Sequence, residues 1–233
     1  MIPISDTVRR TRAPVITWSI CLANVLIFAF EVGLPERKLT RVLELYGLVP
    51  LRYADVDLAF RRGVSDAAPF LTSLFLHGGW LHLISNLWTL WIFGDNVEDR
   101  MGRLRYLVFY LLCGVAAGLV HLVTNPGSPL PAIGASGAIA GVLGAYFALF
   151  PRARVLTLVP VLFLPLFLEV PAVVFLGLWF LTQFLSGTAA LVSAQAGGGI
   201  AWWAHVGGFL VGLVSHRAFL RTRRRRGSVA AAP

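Results

Sequence analysis

The sequence predicts an all-α membrane protein, a bundle of six transmembrane helices with the N and C termini cytoplasmic. Three observations carry that prediction. The chain is 57% hydrophobic and only 13% charged, which is too apolar for an ordinary soluble domain. Its apolar residues gather into six runs, each near the length of about 20 residues that a helix needs to cross the hydrocarbon core. Its basic residues fall between those runs in the way that sets membrane topology.

The first run extends from Val15 to about Phe30. It follows Arg9, Arg10 and Arg12 as a signal peptide would, but the stretch from Phe30 to Arg37 offers no small-x-small cleavage site, so it reads as a retained span. The second runs from about Gly79 to Gly94, the third from Tyr106 to Val123 and the fourth from Ile133 to Phe150. A fifth lies within Val155 to Leu185, where Pro160, Pro165, Glu169 and Pro171 interrupt the pattern and leave Val170 to Leu185 as its membrane part. Ile200 to Leu220 is the sixth. The resulting organisation is a basic cytoplasmic tail (1–14), a membrane domain (15–220) and a second basic cytoplasmic tail (221–233).

The net charge of +9 raises nucleic acid as a partner, but its placement argues for the bilayer instead. Fourteen of the twenty basic residues lie before the first span, between the second and third, after the fourth, or at the C-terminal end. The other six (Arg37, Lys38, Arg41, Arg52, Arg61, Arg62) share one long loop with Glu36, Glu44, Asp55, Asp57 and Asp66. The arginine-rich tail reads as an inside anchor with affinity for anionic lipid head groups. Cys21 and Cys113 both fall in apolar spans, which favours neither a disulfide framework nor a thiolate metal site. No motif calls for a metal or an organic cofactor.

Polar side chains inside a span are costly, so each needs a partner or a role. His82, Asn86, His121 and His205 stand out, and Ser136 joins them in a Gly-Ala-Ser-Gly stretch with little bulk around its hydroxyl. Spans two, four and six run in the same direction, and His82, Ser136 and His205 each lie near the outer start of one. At about 1.5 Å per residue all three sit within roughly 10 Å of the outer boundary. His121, near the outer end of span three, has no polar partner in view at helical spacing and reads as an interfacial histidine. Gly137, Ala140, Gly141 and Gly144 give span four a face of small residues, and Gly208 and Gly212 return to the face of His205. Glycine packing alone explains such faces in many membrane helices; the serine and histidine placed on them add a chemical reading.

A serine hydroxyl becomes a useful nucleophile when a base takes its proton, and histidine has the pKa range for it. Ser136 with His205 fits. The sequence shows no carboxylate at their depth, since Asp95, Glu98, Asp99 and Glu169 lie at the opposite ends of their spans, so the expectation is a Ser-His dyad. His82 and Asn86, four apart, face one way and can donate to an oxyanion, as can the amide of Ser136 in its first helical turn. The alternative for His82 and Asn86 is hydrogen bonding that holds the bundle together.

At this point the chain resembles the rhomboid family. His77-Gly-Gly-Trp-Leu-His82-Leu-Ile-Ser-Asn86 is similar to that family's His-x4-His-x3-Asn element, Gly134-Ala-Ser136-Gly to its nucleophile motif, and Ala204-His205-Val-Gly-Gly208-Phe-Leu-Val-Gly212 to its final histidine helix. The resemblance implies an intramembrane serine endopeptidase of the bacterial six-span type in the cell inner membrane, cutting membrane-protein substrates within a transmembrane segment near the outer face. It implies Ser136 and His205 as catalytic residues, His82, Asn86 and Gly134 at the oxyanion and substrate site, and a structural role for His77. Two departures accompany it. Ala68-Pro69 stands where many members have a Trp-Arg pair, and Ala140 where one subgroup has a tyrosine packed on the histidine, which leaves Trp202 as a candidate support for His205. The competing functions are an inactive rhomboid-like binding or trafficking factor, whose relatives typically lose the nucleophile or the histidine, and a transporter, which would call for internal repeats that are not seen. The resemblance also implies a partly embedded amphipathic hairpin in loop 35–78, and the motif's place at a helix start implies that connection 125–132 dips toward Ser136.

Overall fold

The computed structural model describes residues 1–54, 67–161, 164–192 and 201–221. In chain order the elements are β1 (Ile2–Asp6), α1 (Val15–Val32), α2 (Glu36–Tyr46), the short α3 (Pro69–Thr72), α4 (Trp80–Met101), α5 (Arg103–Thr124), α6 (Ser136–Leu149), β2 (Arg154–Val161), β3 (Leu164–Pro171), α7 (Ala172–Val192) and α8 (Trp202–Phe219). The six long helices α1 and α4 to α8 correspond to the six runs in the sequence. The expected start of the last run at Ile200, the loop charges Asp55, Asp57, Arg61, Arg62 and Asp66, and the arginines at 223–226 lie outside the described residues.

Among the described residues three helices, α1, α5 and α7, are long and apolar enough to cross a membrane by length and composition. The others, α4, α6 and α8, carry the polar side chains His82, Asn86, Ser136 and His205. Exposed apolar side chains such as Leu22, Leu26 and Phe30 on α1 suit contact with lipid. The short α6 is different: every residue from Gly137 to Tyr146 is buried, so it runs through the middle of the bundle. At about 1.5 Å per residue, its 14 residues cover roughly 21 Å, less than a hydrocarbon core. It starts at Ser136 rather than Ile133 because Gly134, at φ +117°, turns the chain into the helix.

Packing between α6 and α8 depends on glycine. A methyl at Gly208 would strike the Gly137 carbonyl, one at Gly212 the Gly141 carbonyl, and one at Gly144 the Phe209 carbonyl. Backbone therefore lies against backbone along the contact, the arrangement that small residues permit in membrane helices.

A three-stranded antiparallel sheet, β1-β2-β3, is the main addition to the helical reading. Strand β1 lies in the stretch expected to be a tail, and pairs Ile2 with Leu158 and Asp6 with Val155. Strands β2 and β3 form a hairpin from Arg154↔Pro171 to Val161↔Leu164, with Pro160 opposite Pro165. The sequence leaves this proline-interrupted stretch ahead of the membrane part expected at Val170 to Leu185, and the structure makes it the hairpin, so that α7 starts at Ala172. Burial alternates at the start of β2, with Val155 and Thr157 buried and Leu156 and Leu158 half-buried, whereas β3 is exposed along nearly its whole length. Because β1 precedes α1 and β2 follows α6, the sheet ties those two points to one end of the bundle. The same end holds the α4–α5 junction, where the Arg221 amide donates to the Arg100 carbonyl and Arg105 to that of Leu220.

At the other end, the long loop after α1 is pinned to the connection before α6. Leu48 and Ala132 exchange backbone hydrogen bonds (3.0 and 2.8 Å), the Leu51 amide donates to Ser128 (3.0 Å), and the Gly134 amide donates to Ser73 (2.8 Å). The connection 125–132 is thus fixed beside the entry to the Ser136 helix.

Candidate active site

Ser136 occupies the first turn of α6 and His205 the first turn of α8, and glycine packing brings those two starts together. Ser136 Oγ lies 2.8 Å from His205 Nε2. Both residues are half-buried, so the hydroxyl is shielded yet reachable.

A residue that the sequence reading did not select completes the arrangement. Gln183, buried in the middle of α7, places Oε1 2.8 Å from His205 Nδ1, while its Nε2 donates to Thr182 Oγ1 at 3.3 Å. A carbonyl oxygen can only accept, so the imidazole proton sits on Nδ1 and Nε2 is left to accept the serine proton. Trp179 and Trp202 flank the ring, with centroids at 6.1 and 6.5 Å. The tryptophan named from the sequence is therefore one of two, and the support absent at Ala140 comes from α7 instead. Gln183 was legible only as a polar residue in an apolar span, the signal that had singled out the histidines.

His82 and Asn86 project from α4 toward Gly134. A methyl on Gly134 would come within 2.6 Å of His82 Nε2 and 3.6 Å of Asn86 Nδ2, so only glycine lets the segment before Ser136 lie there. The Gly78 amide donates to His82 Nδ1 (3.5 Å), which puts the His82 proton on Nε2, facing Gly134. Asn86 Nδ2 donates to His77 Nε2 at 3.1 Å. Burial, and then the neighbouring His82, pushes the His77 imidazole down to about 4, so it stays neutral and can accept. The Ser136 amide, at a helix start with no side-chain cap, is also free to donate.

Two expectations are corrected by these contacts. A carboxylate does lie in a span near this end: Glu31, buried in the last turn of α1, accepts the His77 amide at 3.2 Å and so helps hold the loop that carries His77. The helix runs to Val32, two residues past the expected end of the run at about Phe30. His121 has a partner at helical spacing after all, since Asn125 Nδ2 lies 3.3 Å from its Nδ1.

His82 and Asn86 on α4, Ser136 on α6 and His205 on α8 thus lie at one site, joined by Gln183 from α7. A Rhomboid domain model matches residues 65–222, the segment that holds all of them. The chain belongs to the rhomboid family. This rhomboid is 30% identical over 156 residues to the human presenilin-associated rhomboid-like protein, mitochondrial, an overlap of 63% of this chain and 36% of that one. It is 42% identical over 73 residues to Rhomboid-like protein 11, chloroplastic, of Arabidopsis thaliana (31% and 26% of the two chains). Over 75 residues it is 36% identical to RHOMBOID-like protein 5 of the same plant (32% and 24%). The matched segment spans about a third of the length of the first of these relatives and about a quarter of the other two. This rhomboid is a multi-pass membrane protein.

Proposed function

We propose that this rhomboid is an intramembrane serine endopeptidase that cleaves transmembrane segments of other membrane proteins near the outer face. The observation that carries the reading is the hydrogen-bonded series Ser136 Oγ, His205 Nε2, His205 Nδ1, Gln183 Oε1, with 2.8 Å at both bonds to the imidazole.

In this reading Ser136 Oγ attacks the scissile carbonyl while its proton passes to His205 Nε2. The oxyanion that forms is met by His82 Nε2–H, by the second Asn86 N–H and by the Ser136 amide, beside Gly134. His205 then gives its proton to the leaving amine, and the acyl-enzyme remains on Ser136. Water, deprotonated by His205, releases the acid product and restores the serine. Because β1, the α4–α5 junction and Arg221 lie at one end with most of the described basic residues, we read that end as the cytoplasmic side, and the family resemblance is what suggests a bacterial-type inner membrane. The site then opens toward the opposite side.

The test is cleavage of a generic single-span substrate by purified protein in detergent, with Ser136→Ala and His205→Ala beside wild type. Product from wild type only, with both variants folded, supports the dyad. Neither cleavage nor labelling of Ser136 by a fluorophosphonate overturns it and favours a rhomboid-like protein that binds membrane partners without cutting them.

A further inference from the structure

A second polar site lies at the opposite end of the bundle, where a cavity of about 840 Å³ opens between the segment before α1, the α4–α5 junction and the end of α8. Its lining includes four arginines, Arg12, Arg103, Arg105 and Arg221, against two acidic residues, Glu98 and Asp99.

Both carboxylates are already engaged. Glu98 accepts the Ile16 amide (3.0 Å), the Thr17 amide (2.8 Å) and the Thr17 hydroxyl (2.9 Å), which caps the start of α1. Asp99 accepts the amide (2.9 Å) and hydroxyl of Thr11. Of the arginines, Arg105 gives one N–H to the Leu220 carbonyl at 2.6 Å. Among the described residues the side chains of Arg12, Arg103 and Arg221 have neither an ion-pair nor a hydrogen-bond partner. Glu98 is thus taken up by α1 and Asp99 by the segment before it, which leaves an excess of arginine among the residues that line the cavity.

The remaining lining is apolar. Ala13, Pro14, Met101 and Leu104 share the cavity, and Leu104 is 74% exposed at the first turn of a membrane-spanning helix. Guanidinium groups beside such a side chain, at the end of a hydrocarbon-crossing bundle, match a ligand with a phosphate at one end and an acyl chain at the other. We infer that this cavity binds the phosphate head group of an anionic phospholipid, with Arg12, Arg103 and Arg221 as the phosphate ligands. The site is remote from Ser136 and independent of whether Ser136 is catalytic.

Native mass spectrometry of the purified full chain tests it, with phosphatidylglycerol as probe and phosphatidylcholine and inorganic phosphate as comparisons. The expected result is retention of phosphatidylglycerol over phosphatidylcholine, weakened at least tenfold in Arg12→Gln/Arg103→Gln. In a charge-matched control, Arg9→Gln/Arg152→Gln, whose residues lie outside the cavity, the change should stay within twofold. Should the double variant not fold, Arg221→Gln carries the same test with at least a threefold loss. Equal retention of the two lipids, or an equal loss in the control, overturns the inference, because diffuse surface charge would then suffice. Full displacement of phosphatidylglycerol by millimolar inorganic phosphate overturns the lipid assignment in favour of a free anion.

Discussion

Replacing Gln183 by leucine removes one acceptor atom from the candidate site and keeps a side chain of similar reach. The structure sets the size of the effect. His205 Nδ1–H then loses its 2.8 Å partner in a part-buried setting where Trp179 and Trp202 offer none. An unsatisfied donor of this kind costs about 1–3 kcal/mol. Since about 1.4 kcal/mol is a factor of ten in rate, kcat should fall about 5- to 150-fold. KM should stay within about twofold, because Gln183 is directed at the imidazole rather than at a bound segment. Gln183→Glu keeps an acceptor toward Nδ1 and should recover most of the rate. The assay is steady-state cleavage of a fluorogenic single-span substrate in detergent, with circular dichroism to confirm folding. Undiminished kcat in Gln183→Leu would refute the orienting role. An equal loss in Gln183→Glu, with folding intact, would show that packing on α7 matters rather than the acceptor.

Other parts of the structure make further predictions. Gly208→Ala drives a methyl into the Gly137 carbonyl and should lower stability by about 1–3 kcal/mol, seen as a reduced Tm, along with a large loss of cleavage as the two helix starts separate. His77→Leu removes the acceptor that holds Asn86 and should lower kcat about tenfold with little change in KM, read from the same cleavage assay. Asp6 in β1 accepts from Asn96 (2.8 Å) and from the Tyr146 hydroxyl, with Asp95 close by and paired to Arg10 at 3.0 Å. Burial, with a smaller push from Asp95, raises its carboxyl from 3.8 to about 6. A raised value means that folding favours the protonated form, so the gain is complete below about pH 4 and is lost as pH rises through 6. Thermal unfolding should therefore show a contribution on the order of 1–2 kcal/mol at pH 5 that is absent at pH 8, and Asp6→Asn should flatten that difference.

The sequence by itself determined the number of long helices, most of the polar residues placed in them and the family. Each of these rests on a local signal. A span is a run of apolar residues, and a buried histidine or asparagine is conspicuous against it because the bilayer penalises it. Small-residue spacing was enough to mark the faces of α6 and α8 that meet at Gly137 and Gly208. Glu31 lies outside that set because the helix continues to Val32, past the expected end of the first run at about Phe30.

Only the tertiary structure decided what orients His205. Gln183 lies 22 residues from that histidine, on another helix, and no periodicity within either helix connects them. Which nitrogen of His82 faces Gly134 follows from the Gly78 amide, a loop contact with no pattern of its own. The sheet likewise joins residues 2–6 to 155–158 across four spans, so its register is a long-range pairing rather than a property of either segment. Local chemistry is written in the order of residues, whereas the partners of a side chain depend on which helices pack together, and that is settled by the whole bundle at once.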